Sequence, residues 1–583
     1  MGVPGFFGWL LRQYKKNTML KHQIDSPINI LYIDANCLIH PQCRTIIDNC
    51  KNIYDIAKLE SKMFQRICNY LNFLFSHVNP TDEFFIAVDG SAPLAKINQQ
   101  RKRRIRTIDD TKVRNEIKKK YKIEINDTWD NTKITPGTEF MERLHKYFLG
   151  YINELSKKHP KVKITYSSYH TSGEGEHKIL DDIRYQSKNN SLFENKNISI
   201  YGLDADLIFL ALSSKKNNIY LLREADQFGN NKIKTEIYDI ITDVSEELIY
   251  LSIDEMRKCY IEQIIKIIKQ RDNDIEINDD KLFANDFVVL CYFLGNDFLP
   301  HFPSIDIKRN GLDMLLDAYV DTYLTIKLHL IDDNNNLNQY MLTEIIRKMG
   351  NLEEEYFCEI KPKIDKRFEK RQCLYQDEYQ KEIWKLDNLK DIKIDDPIKF
   401  GEGTKDLWKY RYYEHYFMIS EYQKEFIKTL CKNYLEGLVW VTKYYFEGCS
   451  SWTWHYPFSH APFISDLYEY INDSSINDIN KITFNKDKPL NPCVQLLAVL
   501  PKQCNHELPK KYRHLVTSEN SPIIDMYPDK VELDLIHKDM LWQAIPFMPY
   551  LDITRINNTV NDIELDSNEK ERNNILDNFI ITP

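Results

Sequence analysis

Four segments of this 583-residue chain place acidic residues directly behind a short run of β-favouring residues. Asn29-Ile30-Leu31-Tyr32-Ile33 stops at Asp34, and Phe84-Phe85-Ile86-Ala87-Val88 stops at Asp89. Lys163 to Tyr169 runs toward Ser172-Gly173-Glu174-Gly175-Glu176-His177, and Ile198 to Tyr201 runs toward Gly202-Leu203-Asp204-Ala205-Asp206. A seventh acid, Asp297, follows the apolar, helix-like run Phe287 to Phe293 within Leu294-Gly295-Asn296-Asp297-Phe298. Acids at i and i+2 on glycine-flexed loops can aim two carboxylates into one cavity. Seven in one crevice would repel and rise in pKa unless cations neutralised them. Hard oxygen donors suit Mg²⁺ or Mn²⁺, and two such ions about 4 Å apart are the usual device for in-line attack on a phosphodiester. Asp34, Asp89, Glu174, Glu176, Asp204, Asp206 and Asp297 are therefore the candidate metal ligands and catalytic residues. Any one of them alone reads more simply as a helix cap or a surface charge. Four acid-bearing strand ends together point to a shared crevice.

The formal charge of −9 argues against a phosphate-bearing partner until its distribution is considered. Lys96 to Lys122 holds twelve Lys or Arg against three acids, a local +9 that leaves −18 for the rest. If the stretch from Lys96 is helical, Lys96, Gln100, Arg103 and Arg104 share one face at i, i+4, i+7 and i+8. Such a face, seven residues beyond Asp89, can hold a phosphate at a fixed distance from the metals, and the planar arginine fork suits that task. A solvated helix face, or a nuclear-localisation patch at Arg101 to Arg106, would produce the same run of charge.

Stepping outward to what must position these groups, the first 330 residues alternate β-rich runs with helical stretches. That pattern predicts an α/β fold, a mostly parallel sheet flanked by helices, whose functional crevice lies at the carboxyl ends of the strands. Residues 331–404 turn polar and irregular and read as a variable linker or insertion. Residues 405–565 form a second, aromatic-rich region expected to be mostly helical, and 566–583 a tail that is loosely ordered. The longest clean apolar run, Phe287 to Gly295, is far short of the roughly 18 residues a membrane span needs. Twelve scattered cysteines without one Cys-x-x-Cys pair argue against a disulfide framework or a zinc site, and the N-terminus lacks a signal-peptide pattern. An intracellular protein with reduced thiols is expected, cytoplasmic rather than nuclear, with no membrane association and acting as a monomer.

These residues carry a resemblance. Gly2-Val3-Pro4-Gly5-Phe6-Phe7-Gly8-Trp9, Asp34-Ala35-Asn36-Cys37-Leu38-Ile39-His40, Asp89-Gly90 with Ala92-Pro93, and the Gln-Gln-Arg run resemble the Xrn family of 5′-to-3′ exoribonucleases. So do Ile134-Thr135-Pro136-Gly137-Thr138-Glu139-Phe140-Met141, Gly173 to Lys178 and Gly295 to Phe298. In the second region Ser451-Trp452-Thr453-Trp454-His455-Tyr456-Pro457, Ala461 to Leu467 and Gln495 to Pro501 match as well. The likeness covers most of 1–330 and 405–552 and implies a PIN/FEN-like nuclease core with the second region completing the substrate channel.

The resemblance further implies a 5′-monophosphorylated single-stranded RNA substrate, two Mg²⁺ ions (Mn²⁺ as an alternative), and processive release of nucleoside 5′-monophosphates in RNA decay. By motif, the seven acids would hold the metals, and Lys96, Gln100, Arg103 and Arg104 the 5′-phosphate. His40 would stack on the terminal base opposite Trp452 or Trp454. Eight aromatics crowd Trp440 to Phe458, of which one or two are expected to touch RNA and the rest to pack. His177 reads as structural, since a metal-activated water needs no general base. Gly5 and Gly8 stand where the family usually has a basic or larger residue, and Ser459-His460 where it has His-Tyr. The match to the shared core alone leads to the expectation that partner recruitment through long C-terminal extensions is absent. Two other classes share parts of the pattern: a flap-type structure-selective 5′ nuclease, and a non-catalytic RNA-binding scaffold.

Overall fold

The computed structural model describes residues 5–14, 16–50, 55–125, 129–225, 240–419, 423–473 and 478–583, so Gly2, Val3 and Pro4 of the N-terminal motif lie outside the described residues. Eight strands form the central sheet: β1 (Leu20–Lys21), β2 (Ile30–Asp34), β3 (Glu83–Ala87), β4 (Lys163–Ser167), β5 (Ile198–Tyr201), β6 (Ile219–Glu224), β7 (Leu248–Ser252) and β10 (Phe579–Ile581). Two short strands, β8 (Leu533–Asp534) and β9 (Ile545–Pro546), pair with each other elsewhere. The order across the main sheet is β1-β7-β6-β5-β2-β3-β4-β10. The five central strands, β6 to β4, run parallel; at the margins β7 and β10 run antiparallel to them, and β1 pairs antiparallel with β7.

Parallel strands must be covered on both faces, and β2 shows how the sequence meets that demand. All five of its residues are buried. Ile30 and Tyr32 enter one apolar core, Leu31 and Ile33 the other, as the two-residue period of a strand requires. From β2 the chain adds β3 and then β4 on one side, returns, and adds β5 and then β6 on the other. The crevice between the carboxyl ends of β2 and β5 is thus a topological switch point, where open α/β sheets bind their ligands.

The apolar run ending before Asp297 is the helix Leu282–Cys291 continued by a tight turn Tyr292–Leu294. The basic segment is one helix, Leu94–Lys120. Its Leu94 and Ile97 enter a third apolar core built from residues of the second region, including Leu496, Leu497 and Ile556. The basic helix is therefore the joint between the sheet domain and the aromatic region.

Two segments are more ordered than a linker and a loose tail would be. Residues 331–404, read as a variable linker or insertion, contain the helices Gln339–Glu355, Lys361–Glu369 and Glu378–Asp387, which suits an insertion. Met341, Leu342, Ile345, Ile346 and Met349 of the first are buried in the main core, a 3.6-residue stripe that abundant charge on the other faces hides in the sequence. The tail 566–583 is also built in. Asp566 and Glu569 form a reciprocal cap on the helix Ser567–Arg572, and β10 pairs with β4 through Phe579, Ile580 and Ile581.

Candidate functional site

The acids arrive where the strand ends bring them. Asp34 is the last residue of β2, and Asp89 follows β3 by two residues. Glu174 and Glu176 open the helix Gly175–Asn189, and Asp206 is the first residue of the helix Asp206–Ser213. Three carboxylates thus sit at helix N-termini, where unpaired backbone N–H groups favour negative charge. Asp34, Glu174, Glu176 and Asp206 are buried, Asp89 and Asp297 are partly buried, and Asp204 is exposed at the rim.

Local chemistry fixes each one. Asp89 accepts from the Gly175 N–H at 2.7 Å and from Asn36 Nδ2 at 2.8 Å. Asp34 accepts from the Cys37 thiol at 2.9 Å. A Cβ on Gly175 would stand 2.8 Å from Asp34 Oδ1 and 3.1 Å from the Ala87 carbonyl, so only glycine lets the helix start this close to two acids. Gly295, at φ +81°, turns the chain so that Asn296 Oδ1 caps the N–H groups of Phe298 and Leu299, at 2.9 Å each, and Asp297 faces the crevice. Arg223 is buried and donates to the carbonyls of Leu203 and Asp204 at 2.7 and 2.6 Å, holding the β5 loop.

Four of the acids, Asp34, Glu174, Glu176 and Asp206, are raised in pKa first by burial and then by neighbouring carboxylates, which ties the cluster into one electrostatic unit. Burial and then Asp89 push Asp34 up to about 8, with Asp204 and Glu174 adding to the effect. Burial and then Asp297 push Asp206 up to about 7. Glu176 is raised well above the carboxylate range by burial and by Glu174, Asp206 and Asp204. Among the described residues one side-chain cation forms ion pairs with them: Lys96 pairs with Glu174 and, at 2.8 Å, with Asp297. Against its own burial, that ammonium holds Asp297 below the usual range. One lysine does not balance seven acids, and Glu176 Oε2 and Asp206 Oδ1 are buried with no hydrogen-bond partner. Orphaned carboxylate oxygens in a crowded acidic crevice fit hard divalent cations.

Lys96, read as the first of four phosphate-binding side chains, is bonded to Glu174 and Asp297 of the acid cluster. Its backbone belongs to the basic face, but its stem reaches back to Glu174 and Asp297. Gln100, Arg103 and Arg104 remain on the face as expected, all partly buried. Among the described residues neither arginine has an ion-pair partner, and Arg104 Nε is buried without a hydrogen bond. By contrast the far end of the same helix is neutralised, Arg114 by Asp387 and Lys120 by Glu382 at 2.7 Å. The segment read as a linker or insertion supplies those acids and neutralises part of the far end.

His40 lies within electrostatic reach of Arg103 and Arg104; burial first, then these two charges, lower it to about 4, so its ring is neutral. Trp454 stacks on Trp440 at 5.0 Å and meets Phe484, and is committed to packing. Trp452 is partly exposed, and its carbonyl accepts from the N–H of Leu94, the first residue of the basic helix, at 2.8 Å. Asp487 clamps that turn through Ser451 Oγ at 2.9 Å and the Thr453 N–H at 3.1 Å, a role no sequence pattern announced.

His177 stacks on Tyr444 with centroids 3.8 Å apart and is kept neutral, first by burial. Its ring nitrogen, with oxygens of Glu174 and Glu176, falls in one group within 4.8 Å, so it stands closer to the ligand set than its reading as purely structural implied. Lys178, which sequence reasoning passed over, donates to the Val88 and Ser168 carbonyls at 2.6 and 2.8 Å and ties the ends of β3 and β4 together beneath Asp89.

The family model for the XRN 5′-3′ exonuclease N-terminus matches residues 1–225, and that for the Xrn1 helical domain matches 276–393 and 359–582. The chain belongs to the Xrn family. Human 5′-3′ exoribonuclease 1 is 33% identical over 95% of this chain and 34% of its own length. The Schizosaccharomyces pombe 5′-3′ exoribonuclease 1 is 29% identical over 98% of the chain and 49% of its own, and the Drosophila melanogaster 5′-3′ exoribonuclease 2 homolog 28% over 100% and 73%. The chain thus spans about a third to a half of the first two relatives' length. The Xrn helical-domain match includes all of 331–404, in keeping with its packed helices. Among the described residues no helix of this Xrn chain is long and apolar enough to cross a membrane.

Proposed function

We propose that this chain is a divalent-metal-dependent, processive 5′-to-3′ exoribonuclease that degrades 5′-monophosphorylated single-stranded RNA to nucleoside 5′-monophosphates. The observation that carries the reading is the juxtaposition of two opposite charge surpluses: an acid cluster with orphaned buried oxygens, and a helix end whose Arg103 and Arg104 have no ion-pair partner among the described residues. Lys96 joins them, with its backbone in one and its ammonium in the other.

Asp34, Asp89, Glu174, Glu176, Asp204, Asp206 and Asp297 would hold Mg²⁺ or Mn²⁺, two ions in our reading. Such ions, when bound, supply an activated water and stabilise the charge on a leaving oxygen. The chain's own side chains do the rest. Gln100, Arg103 and Arg104 grip the terminal phosphate, and Arg gives this grip bidentate geometry. The neutral His40 ring and Trp452 offer aromatic surfaces for the first base, contacts worth about 1 to 3 kcal/mol per base and indifferent to sequence. The strand is thereby fixed so that its first phosphodiester lies over the acids. Only a 5′ end can seat in this way, so cleavage proceeds one nucleotide at a time.

We place this activity in the cytoplasm of the cell, by a monomer. All twelve cysteines are unpaired thiols, which suits a reducing compartment.

The test is 5′-end selectivity. Arg103→Ala and Arg104→Ala should each lower the preference for a 5′-phosphate over a 5′-hydroxyl end by about tenfold or more, the worth of one charge-assisted hydrogen bond. An unchanged preference in both would move the pocket elsewhere.

A further inference from the structure

The helix Leu94–Lys120 turns roughly 100° per residue and so presents three faces near its start. Ile97, Arg101 and Ile105 are buried against the second region. Gln100, Arg103 and Arg104 form the phosphate face described above. The third face, with Gln99, Lys102 and Arg106, borders a separate cavity of about 350 Å³ that reaches from Asn296 and Asp297 to an aromatic wall of Tyr416, Phe458 and Trp542. Arg103 stands on the ridge between the two faces and lines this cavity as well.

The residues around the cavity are incompletely partnered among the described residues. Asn296 Oδ1 is occupied by two backbone N–H groups, and its Nδ2 is buried without a partner. Gln99 donates Nε2 to Asp297 at 3.4 Å, and its Oε1 is likewise buried and unpartnered. Lys102 finds only the Ser459 hydroxyl, at 3.2 Å, and no carboxylate among the described residues. Burial and then the adjacent Arg101 lower its pKa to about 8, so an arriving anion would stabilise its charge. A purely apolar occupant would leave Lys102 without a counter-charge. The volume lies at the small end of the roughly 300–1,000 Å³ range of small-molecule sites.

A cation without a carboxylate partner beside an aromatic wall forms the complement of a phosphate and a flat base. We propose that this cavity binds one nucleoside 5′-monophosphate, the product class of the reaction above, at a position distinct from the terminal-phosphate face. The inference rests on the proposed function for the ligand's source, because Asp297, one of the proposed metal ligands, itself lines the cavity.

Calorimetric titration of the whole chain with adenosine 5′-monophosphate in EDTA, with and without a saturating 5′-phosphorylated oligoribonucleotide, tests it. Two equivalents should bind to the free chain, and the oligonucleotide should displace only one. Lys102→Met keeps the aliphatic stem, and Ser459→Phe fills the cavity; each should weaken the undisplaced equivalent about tenfold or more while the displaced one persists. Adenosine should bind the second position at least about tenfold more weakly than its monophosphate. A single equivalent fully displaced by RNA would overturn the proposal, as would a second equivalent indifferent to both variants or matched by inorganic phosphate. Failure of the 5′-phosphate reading shows separately, as a displaced equivalent unmoved by Arg104→Ala.

Discussion

Asp206 concentrates the electrostatic problem of the site: it is buried, begins a helix, carries an orphaned oxygen and is pushed up to about 7. Replacing it by Asn keeps the shape and removes the charge. Asp206→Asn should reduce cleavage beyond the roughly 10–100-fold typical of groups that merely support metal ligands, while RNA binding persists; an equally active variant would remove Asp206 from the ligand set. The same raised pKa values set the pH dependence of stability. Asp34 and Asp206, raised from 3.8 to about 8 and about 7, keep protons in the folded chain that the unfolded chain has released. The folded state binds more protons between these limits, so metal-free stability falls as pH rises from about 4 through about 8. Divalent cations bind the deprotonated acids and oppose this loss. Thermal melts should therefore show Mg²⁺ raising Tm more at pH 8.5 than at pH 6, and an equal rise at both would contradict the assignment. Residue types and order alone located all seven acids. They did not reveal where Lys96 points, because helical periodicity gives the face of a residue and not the reach of its flexible stem.

At the scale of elements, the site depends on how closely a helix can start beside two strand ends. Gly175→Ala would set a methyl 2.8 Å from Asp34 Oδ1. It should weaken divalent-cation affinity and cleavage together, with the far-UV spectrum unchanged. Gly150, inside the helix Glu139–Lys158, has nothing within 4 Å of the position a Cβ would take. Gly150→Ala should be neutral or stabilising by up to about 1 kcal/mol, and chemical denaturation of the two variants separates site geometry from helix propensity. The four acid-bearing strands were legible because buried parallel strands read as continuous apolar runs ending at polar loops. The helices of 331–404 were not, since their buried stripe is diluted by Lys, Glu and Asp on the outer faces. β10 was not either: three residues that complete a sheet edge carry no periodicity of their own, and only their pairing with Ile164, Thr165 and Tyr166 gives them a structure.

Across the whole molecule, a net charge of −9 coexists with a concentrated cationic end. Local partners, not the total, decide what that charge does. Asp387 and Glu382 silence Arg114 and Lys120, whereas Arg103 and Arg104 stay open to a phosphate. RNA affinity should accordingly fall with salt despite the acidic total, and Arg103→Ala should reduce the slope of log K against log salt by about 0.7, the loss of one single-strand phosphate contact. An unaltered slope would show that Arg103 meets no phosphate. The central claim is that the acid cluster and the basic helix end act together on a 5′ end. Digestion of 3′-labelled single-stranded RNA bearing a 5′-monophosphate, 5′-triphosphate or 5′-hydroxyl, in Mg²⁺ and in EDTA, tests it most directly. The account predicts mononucleotide release from the monophosphate substrate alone and none in EDTA; internal cuts indifferent to the 5′ end, or binding without cleavage, would contradict it.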